Sequence, residues 1–203
     1  MILLVSGATK TVRASDPRVG CLMVPGAGGL PLPCRSWAMD NGAFAGFDEK
    51  AFLKKLDLVK DVSGCLWVAA PDKVADHLAT LRLFDAWEPR LRQLGFPVAL
   101  VAQDGLIPCA VPWNRIDCLF IGGSTEWKLS EDARRLVVEA KLRGKLVHMG
   151  RVNTQQRLAL ALEWGVDSVD GTSMSMFAET YIGKNVAFID DRKLFLATNR
   201  RLF

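Results

Sequence analysis

Six short polar motifs close apolar runs along this chain, and they hold most of its residues capable of chemistry. They are Asp40-Asn41-Gly42-Ala43-Phe44, Pro71-Asp72, Gln103-Asp104-Gly105, Gly122-Gly123-Ser124, His148-Met149-Gly150 and Asp167-Ser168-Val169-Asp170-Gly171. Asp40 and Asp170 each stand where apolar sequence gives way to a glycine turn, which presents a carboxylate to a pocket. Two carboxylates on one face permit the division into nucleophile and acid/base that cleaves glycosidic bonds. An aspartate can carry the sugar as a covalent ester. Asp72 and Gln103 suit recognition, because a carboxylate accepts hydrogen bonds while a carboxamide donates and accepts, matching the edge of a purine-like ring. Gly122 and Gly123 let backbone N–H groups approach a flat ligand. Met149 offers a thioether to a ring face. Each of these residues also has a plainer role open to it: Asx-type turns for the acids, ordinary core packing for Met149.

The remaining polar residues are less specific. His77 and His148 are the only histidines. No cysteine cluster accompanies either, so no metal or other cofactor is expected. His148 reads as a satisfied strand-end histidine. Trp127 and Lys128 follow Gly123 on a loop that would face substrate, with Trp127 placed to stack a base or to cover a helix end. The five cysteines (Cys21, Cys34, Cys65, Cys109 and Cys118) are odd in number and lack CxxC spacing. Reduced structural thiols in a cytoplasmic setting fit best. The net charge of +4 is too mild for a dedicated nucleic-acid binder. Basic residues gather at Arg134-Arg135 to Arg143, and at Arg192-Lys193 with Arg200-Arg201. They fit solvated helix faces and a charged tail as well as a phosphate-binding surface.

What must position these groups is a repeated strand–helix pattern. Met1–Val5, Cys65–Ala70, Val98–Ala102, Cys118–Ile121 and Lys145–Val147 read as buried strands, with a short one near Cys21–Val24. Asp48 to Lys60 has helical periodicity with Asp48 as N-cap. Further helices are expected from Val74 to about Leu94, opened near Asp72 and kinked at Pro89, from Ser130 to Gly144, and from Asn153 or Thr154 to Trp164. Alternation of this kind implies a parallel sheet whose strand C-termini converge on one ligand-binding face. A closed (β/α)8 barrel usually needs about 250 residues, so for 203 residues a compact, trimmed TIM-like barrel in one domain is the first expectation. An open doubly wound sheet is the second. Ser6 to Arg35, rich in Gly and Pro, reads as a long loop around the short strand, with Pro25-Gly26-Ala27-Gly28-Gly29 a weak phosphate-cradle candidate. No apolar stretch is long enough to span a membrane.

In this order the motifs resemble the tRNA-guanine transglycosylase superfamily, and within it the DNA-modifying 7-deazaguanine relatives. Asp40-Asn41-Gly42-Ala43-Phe44 resembles Asp-Ser-Gly-Gly-Phe-Gln, Gln103-Asp104-Gly105 resembles Gln-Gly-Gly, Ile121-Gly122-Gly123-Ser124 resembles the Gly-Gly-Leu segment, Val147-His148-Met149-Gly150-Arg151-Val152 resembles Leu-Met-Gly-Val-Gly, and Gly165-Val166-Asp167-Ser168-Val169-Asp170 resembles Gly-Val-Asp-Met-Phe-Asp. The resemblance spans roughly residues 36 to 175. It implies a (β/α)8 barrel that exchanges guanine for a 7-deazaguanine through an aspartyl–sugar intermediate. Asp170 would be the nucleophile and Asp40 the general acid/base. Asp72, Gln103, Gly122, Gly123 and Met149 would hold the base. Lys128, Arg151, Trp127 and the C-terminal arginines would contact nucleic acid.

The family's cysteine-rich zinc motif is absent, as are its second glycine and glutamine after Asp40 and its Pro-Thr-Arg after Asp170. A tRNA acceptor is therefore disfavoured and DNA preferred, with free guanine or 7-deazaguanine as the other partner. Plain N-glycoside hydrolysis, a non-catalytic nucleotide- or DNA-binding barrel, and a phosphosugar TIM-barrel enzyme remain as alternatives.

Overall fold

The computed structural model describes residues 1–7, 9–26, 30–31 and 34–199. Eight parallel strands, β1 to β8, pair in chain order, and β1 pairs with β8 to close a barrel. They are β1 Ile2–Val5, β2 Val19–Met23, β3 Trp37–Met39, β4 Cys65–Ala69, β5 Val98–Ala102, β6 Cys118–Ile121, β7 Leu146–Met149 and β8 Ser168–Asp170. The fold is thus a compact (β/α)8 barrel, and the open doubly wound sheet is excluded by the β1–β8 ladder.

The helices, α1 to α8, are Lys10–Ala14, Glu49–Val59, His77–Gln93, Thr125–Lys128, Glu131–Leu142, Gln155–Glu163, Thr172–Met176 and Ala178–Asn199. Economy comes from the connections rather than the strand count. Two short 3-10 turns, Pro108–Ala110 and Trp113–Arg115, replace a helix between β5 and β6. Among the described residues no helix joins β2 to β3.

Side chains alternate across each strand. One set fills the barrel interior: Leu4, Leu22, Ala38, Trp67, Ala69, Ala99, Val101, Cys118 and Phe120. The other set packs outward under the helices, with Leu3, Met39, Leu100, Ile121, Met149 and Val169 among it. Two residues on from Ala38, Val101, Phe120, His148 and Ser168 come Asp40, Gln103, Gly122, Gly150 and Asp170. Period-two alternation therefore aims all five at the barrel axis, at the C-terminal rim.

Capping sets the helix starts. Asp48 Oδ1 accepts from Ala51 N–H at α2, Asp76 from Ala79 at α3, Ser130 Oγ from Ala133 at α5 and Thr154 Oγ1 from Arg157 at α6. Glycines in the left-handed region, Gly95, Gly144 and Gly165, stop α3, α5 and α6.

Several expectations need correction. α3 begins at His77, three residues later than the Val74 start, with Asp76 as its N-cap, because Asp72 is held by other partners in the barrel mouth. Pro89 does not divide α3. The buried face of Phe84, Trp87 and Leu91 flanks it on both sides and packs the helix through the missing N–H. The short strand expected near Cys21–Val24 is β2, Val19–Met23, but the rest of the Ser6–Arg35 stretch is not all loop, for α1 lies in it. Gly28 and Gly29 of the phosphate-cradle candidate, and Arg200 and Arg201 of the basic tail, lie outside the described residues. Arg192 and Lys193 belong to α8, where Arg192 pairs with Glu163. Arg134, Arg135 and Arg143 each pair with an acid on their own helix, Glu131, Asp132 and Glu139, as solvated helix faces do. Among the described residues no helix is long and apolar enough to cross a membrane.

The floor of the barrel mouth is aromatic. Trp67, fully buried, lies 5.4 Å from the Phe120 ring and 4.7 Å from the His148 ring. Trp67→Ala is expected to lower stability by about 3–5 kcal/mol. The measurement is urea denaturation, and a loss under 1 kcal/mol would contradict the packing assigned to this layer.

Candidate active site

A cleft of about 400 Å³ opens at the C-terminal rim of the barrel. Asp40, Asp72, Gln103, Gly122, Gly123 and Asp170 line it, together with Lys128 and Arg151. Six strand ends and their loops thus bring residues up to 130 positions apart in sequence to one wall. No group of His, Cys, Asp or Glu suited to a metal ion occurs among the described residues.

Asp170 ends β8 and is buried. Its Oδ1 accepts from the Arg151 backbone N–H at 2.7 Å, and its Oδ2 lies 3.2 Å from His148 Nε2. Burial pushes the carboxyl up, but His148, the Arg151 N–H and the nearby Lys128 charge outweigh it and hold Asp170 below the ordinary carboxylate value. An ionised Asp170 only accepts, so His148 donates from Nε2. Its Nδ1 meets Ser168 Oγ at 2.9 Å. Ser168, His148 and Asp170 therefore form a hydrogen-bonded row on two adjacent strands, buried except where Asp170 meets the cleft. Asp167 is separate: it faces out, paired with Lys141 at 2.7 Å and accepting from Val147 N–H, as the alternation of its segment requires.

Asp40 is the opposite case. Removal from water pushes its carboxyl up to about 6, and the negative charges of Asp170 and Asp72 add to this against the Gly42 N–H that bonds its Oδ1. Two acids in one cleft are thus driven apart, one to remain charged and one poised to carry a proton near neutrality.

Asp72 accepts from Asn41 Nδ2 at 2.8 Å and from Gln103 Nε2 at 2.6 Å. Burial raises its carboxyl, and these two donors partly offset the rise. Gln103 Oε1 accepts from Ala75 N–H at 2.8 Å. That bond fixes the amide orientation and coincides with the left-handed backbone of Ala75. Each group keeps lone pairs or a hydrogen for a ligand.

Gly122 lies flush with the wall, since a methyl there would come within 2.7 Å of Val101 Cγ1 and 3.1 Å of Gln103 Nε2. Its N–H, however, donates to Ala102 O in the ladder at 3.0 Å and is not offered to a ligand.

Three expected contacts are displaced. Met149 is fully buried in the outer core, because its parity is opposite to that of His148 and Gly150. Gly150 takes its place on the cleft wall. Trp127 does not line the cleft; it packs half-buried against the outer core. Lys128 is only 1% exposed and donates to Gly150 O at 2.7 Å, so it is not a surface phosphate contact. The cause of both is α4: Ser124 caps this one-turn helix and turns 127 and 128 inward. Burial, and then Arg151, push the Lys128 ammonium down to about 8.

Arg151 adopts a left-handed φ of 58°, a strained setting for a non-glycine residue. Its guanidinium donates to Gly123 O and lies 4.8 Å over the Phe44 ring, so it caps the cleft instead of reaching outward. The peptide joining Gly150 to Arg151 takes the Lys128 ammonium on its oxygen and gives its N–H to Asp170, coupling cation to carboxylate.

Asn41 and Phe44 gained no role from sequence. Asn41 is buried and ties Ala70 O, Asp72 and Ala43 N–H together. Phe44 is 74% exposed at the cleft edge, with the Arg151 guanidinium over its ring. Cys109 is exposed on a 3-10 turn away from the cleft.

No protein-family model matches this chain, and no curated protein matches it in sequence. Solved structures with a similar backbone include a chain of the Amycolatopsis orientalis BexX/CysO complex at 12% identity and TM-score 0.47, over 82% of this chain and 78% of that one. The YdjI aldolase of Escherichia coli K12 aligns at 13% identity and TM-score 0.48, over 85% and 75%. An enolase protein from Sargasso Sea environmental sequence aligns at 11% identity and TM-score 0.45, over 84% and 53%.

The raised Asp40 carboxyl has a stability consequence. The folded protein binds this proton up to about pH 6, whereas the unfolded chain releases it near 4, so stability falls as pH rises between those values. Asp40→Asn is therefore expected to be more stable than wild type at pH 7, by on the order of 1–3 kcal/mol, with the gain vanishing near pH 4. Paired urea melts at the two pH values check this, and a gain of equal size at both would refute it.

Proposed function

We propose that this cleft breaks and re-forms the N-glycosidic bond of a nucleotide, with DNA the favoured carrier, exchanging guanine for a 7-deazaguanine. The observation that carries the reading is the opposition of two carboxyls in one cleft, Asp170 held charged and Asp40 held near 6, beside the Asp72–Gln103 pair. The order of the motifs in sequence supports the same class.

In this scheme a nucleotide enters with its base toward Asp72 and Gln103 and its ring edge-on to Phe44. A base within a duplex must first be flipped out. Asp170 attacks C1′ as the C1′–N bond breaks, and the leaving base takes the Asp40 proton. The sugar is then an ester of Asp170. The incoming base gives its N–H proton to the Asp40 carboxylate and attacks C1′, which releases Asp170 as a carboxylate. Water in place of the second base would give hydrolysis. His148 and the Arg151 N–H keep Asp170 ionised and aimed, and withdraw no proton from it.

The test is incubation with labelled guanine or 7-deazaguanine and single-stranded DNA, duplex DNA or tRNA, scored for incorporation and base release. Asp170→Ala and Asp170→Asn are expected to lower turnover by at least about 10⁴-fold while the fold persists. Near-wild-type base release by Asp170→Ala would remove the mechanism. Because Asp40 must hold a proton for base departure, single-turnover base release should decline as pH rises through about 6. A flat profile from pH 5 to 8 would exclude Asp40 as the acid.

A second reading rests on Lys128. A buried amine brought down to about 8 in a barrel mouth is also the setting of an imine-forming lysine acting on a sugar phosphate. Borohydride reduction in the presence of a sugar phosphate would leave a covalent adduct on Lys128 under this reading, and none under the first.

A further inference from the structure

A second cleft, of about 230 Å³, lies on the far side of the wall formed by residues 151–154 and 171–174. The backbone that lines the first cleft at Arg151, Gly171 and Thr172 lines the second at Val152, Asn153, Ser173 and Met174. We infer that this second cleft is a phosphate subsite, taking a phosphate group of the substrate whose reacting part occupies the first.

Four features converge there. The cleft contains the N-terminus of α6, a nine-residue helix. Arg157 and Leu158 N–H are used by Thr154, but the Gln155 and Gln156 N–H groups have no acceptor among the described residues, and this end of a helix favours an anion. Asn185 on α8 lines the cleft and is only 9% exposed, yet its carboxamide has no hydrogen-bond partner among the described residues. Neither of its amide atoms is sealed from solvent, so the carboxamide opens onto the cleft, where a phosphate oxygen can accept from Nδ2. Lys184 also lines the cleft, and it forms no ion pair among the described residues. Finally, no Asp or Glu side chain lines it. Donors and positive charge therefore face a small space without a competing carboxylate. The position, after β7 and β8, is where parallel barrels commonly hold phosphate.

The inference rests on the proposed reading only in placing the substrate in the neighbouring cleft. The chemistry at Asp170 does not enter it.

Inorganic phosphate is the first probe, titrated into the whole chain and followed by amide chemical shifts and calorimetry. Saturable binding that perturbs Gln155, Gln156 and Asn185 is expected. Lys184→Ala, at an exposed position that should not disturb folding, is expected to weaken it about tenfold or more, and Asn185→Ala by a smaller factor. Asp170→Asn should bind phosphate as wild type does, which separates this site from the base-exchange reading. Absence of saturable binding, or equal binding by Lys184→Ala, overturns the proposal. Displacement of phosphate by a short single-stranded oligodeoxynucleotide would assign the site to a backbone phosphodiester, and displacement by ribose 5-phosphate alone to a free sugar phosphate. Displacement by neither would overturn its assignment to substrate.

Discussion

Asp170 places a negative charge on the inner wall of a closed barrel, where an unpaired carboxylate would cost several kcal/mol. The surrounding structure is arranged to offset that cost. His148 reaches Oδ2 from the adjacent strand, the Arg151 N–H reaches Oδ1 from the loop above, and the Lys128 ammonium acts through the intervening peptide. Each of these donors is itself constrained. His148 is clamped between the Trp67 and Phe120 rings and oriented by Ser168. Arg151 delivers its N–H only with a left-handed backbone, and that geometry is stabilised by its side chain on Gly123 and by Arg157 on its carbonyl. The charge is thus met by His148, by the strained Arg151 backbone and by the buried lysine together.

The same charge shapes its neighbours. Asp40 is destabilised as an anion partly because Asp170 is one. Asp72 is raised by burial instead, and the hydrogen bonds from Asn41 and Gln103 offset part of that rise. Three carboxyls in one cleft thus acquire three environments: one charged, one near its proton, one engaged in hydrogen bonds.

Shortening the barrel does not disturb this arrangement. Among the described residues, connections without α-helices fall after β2 and β5. The nucleophile candidate and its supports come from β6, β7, β8 and the loops that follow them, where α5, α6 and α8 pack against the sheet or each other. Rigid packing is kept where geometry must be precise.

The sequence by itself determined the parallel strand–helix alternation and the alignment of its polar positions, whereas closure into a barrel came from the pairing of β1 with β8. Buried runs alternating with capped helices require parallel strands, parallel strands share one functional end, and period-two alternation carries Asp40, Gln103, Gly122 and Asp170 to its axis. Parity also places Met149 outside, although its position beside His148 and Gly150 drew it toward the site. What only the tertiary structure decided concerns contacts across strands. That His148 bonds Asp170, that Lys128 turns inward on a single helical turn, that Gly122 spends its N–H in the ladder, and that Asn41 joins two loops all depend on strand register and loop path. These are set by long-range packing and not by local pattern. Charge states follow the same division: a carboxylate in sequence has one intrinsic affinity for its proton, and only the burial and partners around Asp40 and Asp170 drive the two apart.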